Sequence, residues 1–161
     1  MILHGGLIAM RIAGYWRGLL IEGPSGAGKS DLALRALDHG FRLVADDRVV
    51  AFVSRGRLYG RSPDPLAGLL EVRGLGITRQ VHLPFARIVL AVRCVERADS
   101  VDRLPEFGAV DVLGLSLPCI EVWPFEPAAP NKLCNAIERL GVGSQQEYQT
   151  PFAAPKERSG A

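Results

Sequence analysis

This chain of 161 residues has few cysteines and methionines, three and two respectively. Its formal net charge is also small, +2 at pH 7. Cys94, Cys119 and Cys134 are odd in number, and none belongs to a C-x-x-C pair or lies near a histidine at ligand spacing. We therefore expect reduced, mostly buried thiols rather than a disulfide framework or a cysteine metal site. The small net charge gives no argument for a nucleic-acid or membrane-surface partner.

Long apolar segments are also missing. The apolar start MILHGGLIAM (1–10) is too short to span a bilayer, no basic segment precedes it, and no clear cleavage site follows it. We expect it to be a strand, and the protein to be soluble and cytoplasmic. What the chain does have is an ordinary globular composition, with 48% hydrophobic and 22% charged residues, and enough length for one domain with a core.

Short apolar runs alternate with glycine- and proline-rich breaks along the chain. The predicted strands are 2–13, 18–23, 41–46 and 85–95, and 69–77 is predicted as a strand that runs into a glycine-rich loop. A hairpin is predicted over 49–61 with its turn at Arg55-Gly56, and two further strands within 110–125 are predicted to break near Pro118. The predicted helices are 30–40 and 131–141. Residues 18–47 therefore form a βαβ-like unit. Residues 142–161 lack periodicity, and we expect them to be a disordered tail after one domain over 1–141.

The stretch GPSGAGKS (23–30) is a complete G-x-x-x-x-G-K-S pattern, the Walker A motif, between an apolar strand and a helix. In such a P-loop, successive backbone N–H groups and the positive end of the following helix hold phosphate oxygens. Lys29 would reach the outer phosphates, and the Ser30 hydroxyl would ligate Mg²⁺. The candidate nucleotide-binding residues are Gly23, Pro24, Ser25, Gly26, Ala27, Gly28, Lys29 and Ser30.

The loop alone does not distinguish a kinase from an ATPase, a GTPase or a passive nucleotide binder. The plainer alternative is a glycine turn that only starts a helix.

The stretch FRLVADDRVV (41–50) carries two adjacent acids, Asp46 and Asp47, within an apolar run. Carboxylates are costly away from water unless they face something positive. If 41–46 is a strand beside the P-loop strand, its end lies near the phosphates, and the positive partners are Mg²⁺ and Lys29. One acid would lie near the metal, and the other would accept the proton of an attacking hydroxyl. The alternative is two solvated acids at a strand end.

The stretch LLEVRGLGI (69–77) places Glu71 and Arg73 on one face of a predicted strand, directly before a second glycine-rich loop. Glu71 would complete a metal shell, and Arg73 would hold a phosphate. The alternative is a surface ion pair, which contributes little to stability.

Taken together, these motifs resemble the C-terminal catalytic domain of the HPr kinase/phosphorylase family, in its short, catalytic-domain-only form found in some proteobacteria. The resemblance covers roughly residues 3 to 141, and E-x-R-G-L-G-I is its most specific part. It rests on LHGGLI (3–8), GPSGAGKSDLAL (23–34), FRLVADDRV (41–49), LLEVRGLGI (69–77) and VDRL (101–104).

The resemblance implies an α/β P-loop fold related to phosphoenolpyruvate carboxykinase, with mixed β-sheets and few helices in a single domain. It implies an ATP-dependent kinase that phosphorylates a serine of the phosphocarrier protein HPr. It also implies the reverse reaction, in which inorganic phosphate removes that group as pyrophosphate. Family members are typically hexamers.

The resemblance also assigns site residues by motif. Asp47 matches the proton acceptor of phosphorylation and proton donor of the reverse reaction, and Asp46 would support it. His4 matches the active-site histidine. The remaining correspondences are Ser30 and Glu71 for the Mg²⁺ ligands, Lys29 for the phosphate-binding lysine, Arg73 for the signature arginine and Arg103 for another catalytic arginine.

One region departs from the family pattern. After the strand CIEVWPF, members usually have a loop with a basic residue and Gly-Arg-Asn, whereas this chain has PFEPAAPNKL (124–133). Asn131 is retained from this pattern, but the arginine is absent, Glu126 is acidic and Lys132 is only a loose substitute. Because the family associates this loop with dephosphorylation, we expect a kinase with weak or absent phosphorolysis.

Two other functions share the P-loop: a small-molecule P-loop kinase, and a non-catalytic nucleotide-binding sensor. The first would usually carry an arginine-rich lid, and Arg97 and Arg103 with their acidic neighbours are too sparse for one. The second would not need His4, Asp47 and Glu71 together.

Overall fold

The computed structural model describes residues 1–103 and 105–141, which form eleven strands and two helices. The strands are β1 (Ile2–His4), β2 (Gly6–Ile12), β3 (Tyr15–Glu22), β4 (Phe41–Ala45), β5 (Arg48–Ser54), β6 (Arg57–Arg61), β7 (Leu69–Val72), β8 (Gly76–Arg79), β9 (Ala86–Cys94), β10 (Gly108–Val112) and β11 (Leu115–Val122). The helices are α1 (Lys29–Leu37) and α2 (Ala129–Leu140), with short 3₁₀ turns at Asp64–Leu66 and Ala98–Ser100. In this part of the chain no helix combines the length and apolar character that a bilayer crossing requires. The predicted tail, 142–161, lies outside the described residues.

Nine strands form one mixed sheet in the order β1-β5-β6-β9-β3-β2-β4, with β11 also paired to β9 and β10 paired to β11. β3, β9 and β11 run parallel to one another, whereas the remaining strand pairs of this sheet are antiparallel. β6 pairs with the start of β9 and β11 with its end. β7 and β8 form a separate two-stranded ribbon. The carboxyl ends of the three parallel strands therefore meet at one edge of the sheet.

β3 is an interior strand, and its side chains alternate between two cores as strand geometry requires. Leu19 and Ile21 join the core that also contains buried residues of α1 and α2, whereas Leu20 joins the core on the opposite face. All three are fully buried. Burial on both faces fixes the strand from which the P-loop emerges.

The predicted strand 2–13 is wrong in one respect, because the chain breaks at Gly5 into β1 and β2. β1 pairs with β5, whereas β2 pairs with β3 and β4. A Cβ atom on Gly5 would lie 2.4 Å from the Ile21 carbonyl oxygen. The backbone at Gly5 therefore passes the end of β3 too closely for any side chain.

The predicted break near Pro118 is also wrong. β10 and β11 turn instead at Leu113–Gly114, where both φ angles are positive, 51° and 80°. β11 continues through Pro118, which lacks an N–H donor but precedes Cys119, where pairing with β9 begins. Equivalent positive-φ turns at Ala13–Gly14 and Arg55–Gly56 join β2 to β3 and β5 to β6, so the predicted Arg55-Gly56 hairpin is confirmed.

The stretch 69–77 is a strand that runs into a glycine-rich loop, as predicted, and the structure adds a second strand after that loop. β7 ends at Val72, the chain turns through Arg73, Gly74 and Leu75, and β8 returns from Gly76. Gly74 and Gly76 have φ of 88° and 96°, which glycine adopts without steric cost. The second glycine loop is therefore the turn of the β7–β8 ribbon.

Candidate active site

The P-loop joins the end of β3 to the start of α1. Gly26 and Gly28 have φ of 79° and 98°, and the Ala27 N–H donates to the Pro24 carbonyl oxygen at 3.1 Å. α1 starts with Lys29, and its first residues have no preceding helical carbonyl to accept their N–H groups. The loop therefore leaves backbone donors at a helix N-terminus, as the sequence predicts.

Lys29 lies on the loop itself. Its Nζ donates to the carbonyl oxygens of Gly23 at 2.8 Å and of Pro24 at 2.9 Å. A phosphate held by the loop would compete with these two carbonyls for the ammonium group.

Asp46 joins the P-loop to the β7–β8 ribbon. Ser30 Oγ donates to Asp46 Oδ1 at 2.7 Å, and the Glu71 backbone N–H donates to Asp46 Oδ2 at 3.2 Å. Asp46 is only 9% exposed, so both oxygens of a buried carboxylate have partners, as buried polar groups require. Asp46 is thus the acid of the pair that faces the P-loop.

The assumption that 41–46 is a strand beside the P-loop strand is wrong, because β2 lies between β4 and β3. β2 is antiparallel to both, so β3 and β4 still point the same way. The end of β4 therefore reaches the same edge of the sheet as the P-loop, two strands away.

Asp47 points elsewhere, as expected for the second acid. Its side chain is 74% exposed, with Oδ2 3.8 Å from Arg48 Nε. Its φ is 64°, and it is the one described non-glycine residue with positive φ outside the X-Gly turns. Asp tolerates this conformation better than most residues, and backbone strain of this kind concentrates at functional sites.

β1 brings His4 to the same turn. His4 pairs with Arg48 across β1 and β5, and the Gly5 N–H donates to the Asp47 carbonyl oxygen at 3.0 Å. The imidazole is exposed. His4 and Asp47, distant in sequence, are therefore neighbours at the edge of the sheet.

The β7–β8 ribbon presents two further predicted residues. Glu71 follows the fully buried Leu70, so its side chain lies on the opposite, exposed face of β7. Arg73 is exposed in the ribbon turn. The backbone contact at Glu71 places this ribbon beside Asp46, although its side chain makes no hydrogen bond to Asp46 or Ser30 among the described contacts.

Arg103 lies in a different setting. It lines a cavity of about 500 Å³ bounded by β11, α2 and the residues Val101–Arg103, Pro105 and Phe107. No P-loop residue lines this cavity, and among the described residues no contact joins Arg103 to Lys29, Ser30 or Asp46. The catalytic role assigned to Arg103 remains a prediction.

The donor set around Ser30 suits Mg²⁺, which prefers hard oxygen ligands and keeps several waters or phosphate oxygens in its shell. A hydroxyl and a carboxylate face each other at Ser30 and Asp46, and Glu71 is anchored beside them. The described residues contain no group of three or more His, Cys, Asp or Glu side chains arranged to hold a metal. A cation bound by Ser30 and Asp46 would complete its shell with waters or phosphate oxygens.

Cys94 lies beside the start of the P-loop, where a Cβ on Gly23 would lie 3.0 Å from the Cys94 Cβ. Burial raises the pKa of the Cys94 thiol to about 11, against the opposing charge of Lys29. Cys94, Cys119 and Cys134 form no disulfide with one another, and the first two are buried. The Cys94 side chain packs against the start of the P-loop at Gly23.

The β11–α2 loop (123–128) lies against the P-loop, a contact that the sequence motifs do not predict. A Cβ on Gly28 would lie 2.8 Å from Phe125 Cζ and 3.3 Å from Pro124 Cγ. The available signal was the aromatic, proline-containing run WPF directly after a buried strand, since ligand sites gather at the carboxyl ends of parallel strands.

Comparison with known proteins decides the family. The family model described as "HPr Serine kinase C-terminal domain" matches residues 1–122. The chain belongs to this family. The resemblance predicted from the sequence motifs is thus confirmed.

Relatives within the HPr kinase family agree with this assignment. The chain is 44% identical over 168 residues to the HPr kinase/phosphorylase of Halalkalibacterium halodurans, covering 91% of this chain and 51% of that protein. It is 51% identical over 75 residues to the HPr kinase/phosphorylase of Clostridium tetani, covering 47% of this chain and 23% of that protein. The chain thus spans about half or less of the length of these curated relatives.

A solved structure supports the fold. The HPr(Ser) kinase/phosphatase of Coxiella burnetii aligns with a TM-score of 0.72 at 24% identity, covering 86% of this chain and 88% of that one. At this identity the likeness concerns the fold alone. The predicted α/β class, with a mixed sheet and few helices in one domain, is confirmed.

Proposed function

We propose that this chain is an ATP-dependent protein kinase domain that transfers the terminal phosphoryl group of ATP to a serine of HPr. The observation that carries the proposal is the buried Asp46 carboxylate, which ties the P-loop serine to the ribbon bearing the family signature. The names of the curated relatives supply the substrate.

The P-loop would hold the triphosphate. Backbone donors of residues 23–30 would bind its oxygens, and Lys29 would exchange its two carbonyl partners for the outer phosphates. Ser30 and Asp46 would hold Mg²⁺, with Glu71 as the further predicted ligand. When bound, Mg²⁺ would offset negative charge on the transferring group.

Asp47 would receive the proton of the attacking serine hydroxyl. Phosphoryl transfer depends mainly on positioning and charge stabilisation, and the hydroxyl loses its proton late, so a carboxylate suffices as the base. The Asp47 side chain is exposed at the sheet edge, where a protein substrate can reach it. Because β1 holds His4 beside this turn, His4 would help to position the acceptor, and Arg73 would bind phosphate oxygens from the ribbon.

The reverse reaction would use inorganic phosphate to remove the phosphoryl group as pyrophosphate, with the Asp47 carboxyl returning the proton. This direction is the weaker part of the proposal, because residues 124–133 lack the Gly-Arg of the family pattern. The proposed assembly is a homo-oligomer, a hexamer by resemblance, located in the cytoplasm.

Mass spectrometry of purified HPr after incubation with this protein, ATP and Mg²⁺ tests the proposal. The expected result is a gain of one phosphoryl group on a serine, lost when that serine is replaced by alanine. Lys29→Ala is the matched inactive control. Consumption of ATP without modification of HPr would favour a small-molecule kinase, and nucleotide binding without any turnover would favour a sensor.

A further inference from the structure

We propose that Phe125 forms the stacking surface for the base of the bound nucleotide, a contact made by residues that depart from the family pattern. The inference rests on the proposed nucleotide binding at the P-loop, and it assigns the base site within it.

The topology places Phe125 where a nucleotide can reach it. β3 and β11 both run parallel to β9 and flank it, so the P-loop and the β11–α2 loop leave the same edge of the sheet. Ligands of open α/β sheets bind at this edge, between loops that follow parallel strands.

The ring is in direct contact with the phosphate loop. The position that a Cβ on Gly28 would take lies 2.8 Å and 3.1 Å from Phe125 Cζ and Cε1. Gly28 immediately precedes Lys29 and the start of α1. The base of a bound nucleotide has a flat π-face, and an aromatic ring beside the phosphate loop can stack on that face.

Several contacts hold in place the loop that carries the Phe125 ring. Arg35 of α1 donates to the carbonyl oxygen of Pro124 and, at 3.3 Å, to that of Glu126. Lys132 forms an ion pair with Glu126, and the Trp123 and Phe125 rings meet edge to face at 6.3 Å.

Despite these attachments, Phe125 remains 51% exposed. Leaving so much of a fixed aromatic ring in water forgoes the stabilisation that burial would give. A planar apolar ligand face would restore that burial without moving the backbone, because the loop is already in place.

Calorimetric titration of the whole chain with ATP and with inorganic tripolyphosphate, each with Mg²⁺, separates base contacts from phosphate contacts. Phe125→Ala is expected to weaken ATP binding by about 5- to 100-fold and to change tripolyphosphate binding by less than about twofold. Phe125→Trp should retain ATP affinity. Phe85→Ala, which removes another half-exposed ring (54%) at the start of β9, is the matched control and should change neither.

Trp123 provides a second readout that needs no change at Phe125. In a Trp16→Phe background it is the one tryptophan left of the two in the chain. Its emission should respond to ATP and not to tripolyphosphate.

Several results would overturn the stacking role while leaving the phosphate cradle intact. These are equal losses for both ligands in Phe125→Ala, unchanged ATP affinity in that variant, ATP binding no tighter than tripolyphosphate in the wild type, or the same Trp123 response to both ligands. A wild-type chain that binds neither ligand would overturn the proposed function together with this inference.

Discussion

Ser30 Oγ donates a hydrogen bond of 2.7 Å to Oδ1 of the buried Asp46, so the hydroxyl expected to bind a metal and the acid expected beside it are already in contact. Replacing Ser30 by alanine leaves that carboxylate oxygen without its donor, which costs about 1–3 kcal/mol of folding free energy. Urea unfolding without nucleotide or Mg²⁺ measures the loss. Ser54→Ala, at an exposed serine of β5, is the control, and equal stability of the two variants would contradict the structural role.

Lys29→Ala should weaken ATP binding by about 10- to 100-fold, the range expected for losing a charge-assisted hydrogen bond. In the free protein Lys29 is held by two loop carbonyls, so its ammonium is positioned before the phosphates arrive. Isothermal titration measures the affinity. Arg11→Ala removes one exposed positive charge elsewhere and should bind ATP normally; a similar loss in both variants would mean that only overall charge matters.

Asp47→Asn should lower the rate of transfer to HPr by about 10²- to 10⁴-fold, the usual contribution of a general base, while ATP affinity is retained. Asparagine has the same shape and also tolerates the φ of 64° found here, so folding should be unaffected. Single-turnover transfer of radiolabelled phosphate measures the rate. Asp64→Asn, at a side chain that is 99% exposed, serves as the control, and a normal rate in Asp47→Asn would remove Asp47 from the base role.

Phospho-HPr incubated with inorganic phosphate and Mg²⁺ should release pyrophosphate slowly or not at all. In the β11–α2 region the cation Lys132 is paired with Glu126, so its charge is partly cancelled where the family pattern has an arginine. A coupled pyrophosphate assay measures release, with a family member that carries Gly-Arg-Asn run in parallel. Rapid release by this chain would refute the expectation.

Cys94 should make folding stability fall at alkaline pH. Burial raises the pKa of its thiol from 9.0 to about 11, so the folded state favours the neutral form. This contribution is fully present below about pH 9 and is lost as the pH rises to about 11, and it amounts to roughly 2–3 kcal/mol. Urea unfolding across this range should show a steeper decline for wild type than for Cys94→Ala, and parallel curves would contradict the assignment.

The sequence predicted the P-loop well because its residues are consecutive and their geometry is local. The sequence also predicts an acid at the P-loop side of the sheet, where the structure has Asp46, although the predicted strand order is wrong because β4 is not adjacent to β3. Both strands end at the same edge only because β2 is antiparallel to each. Strand order depends on long-range pairing, which short apolar runs do not specify.

Other features of the site depend on tertiary contacts with no local signature. The approach of Phe125 to Gly28 joins loops almost a hundred residues apart in sequence. The contact between the Glu71 peptide and Asp46 uses a backbone donor, so the side-chain identity at 71 does not reveal it. The Leu113–Gly114 turn was missed because leucine is an unusual residue at positive φ, whereas proline nearby is a strong break signal.

The backbone N–H of Glu71 donates to the Asp46 carboxylate, which also accepts a hydrogen bond from Ser30. A cation that draws Asp46 toward itself therefore changes the hydrogen bond between Asp46 and the β7–β8 ribbon. A shift of the ribbon in turn changes the affinity of the site for the cation. By thermodynamic reciprocity the two effects must be equal in size, so the position of the β7–β8 ribbon and cation binding at Asp46 become one linked equilibrium.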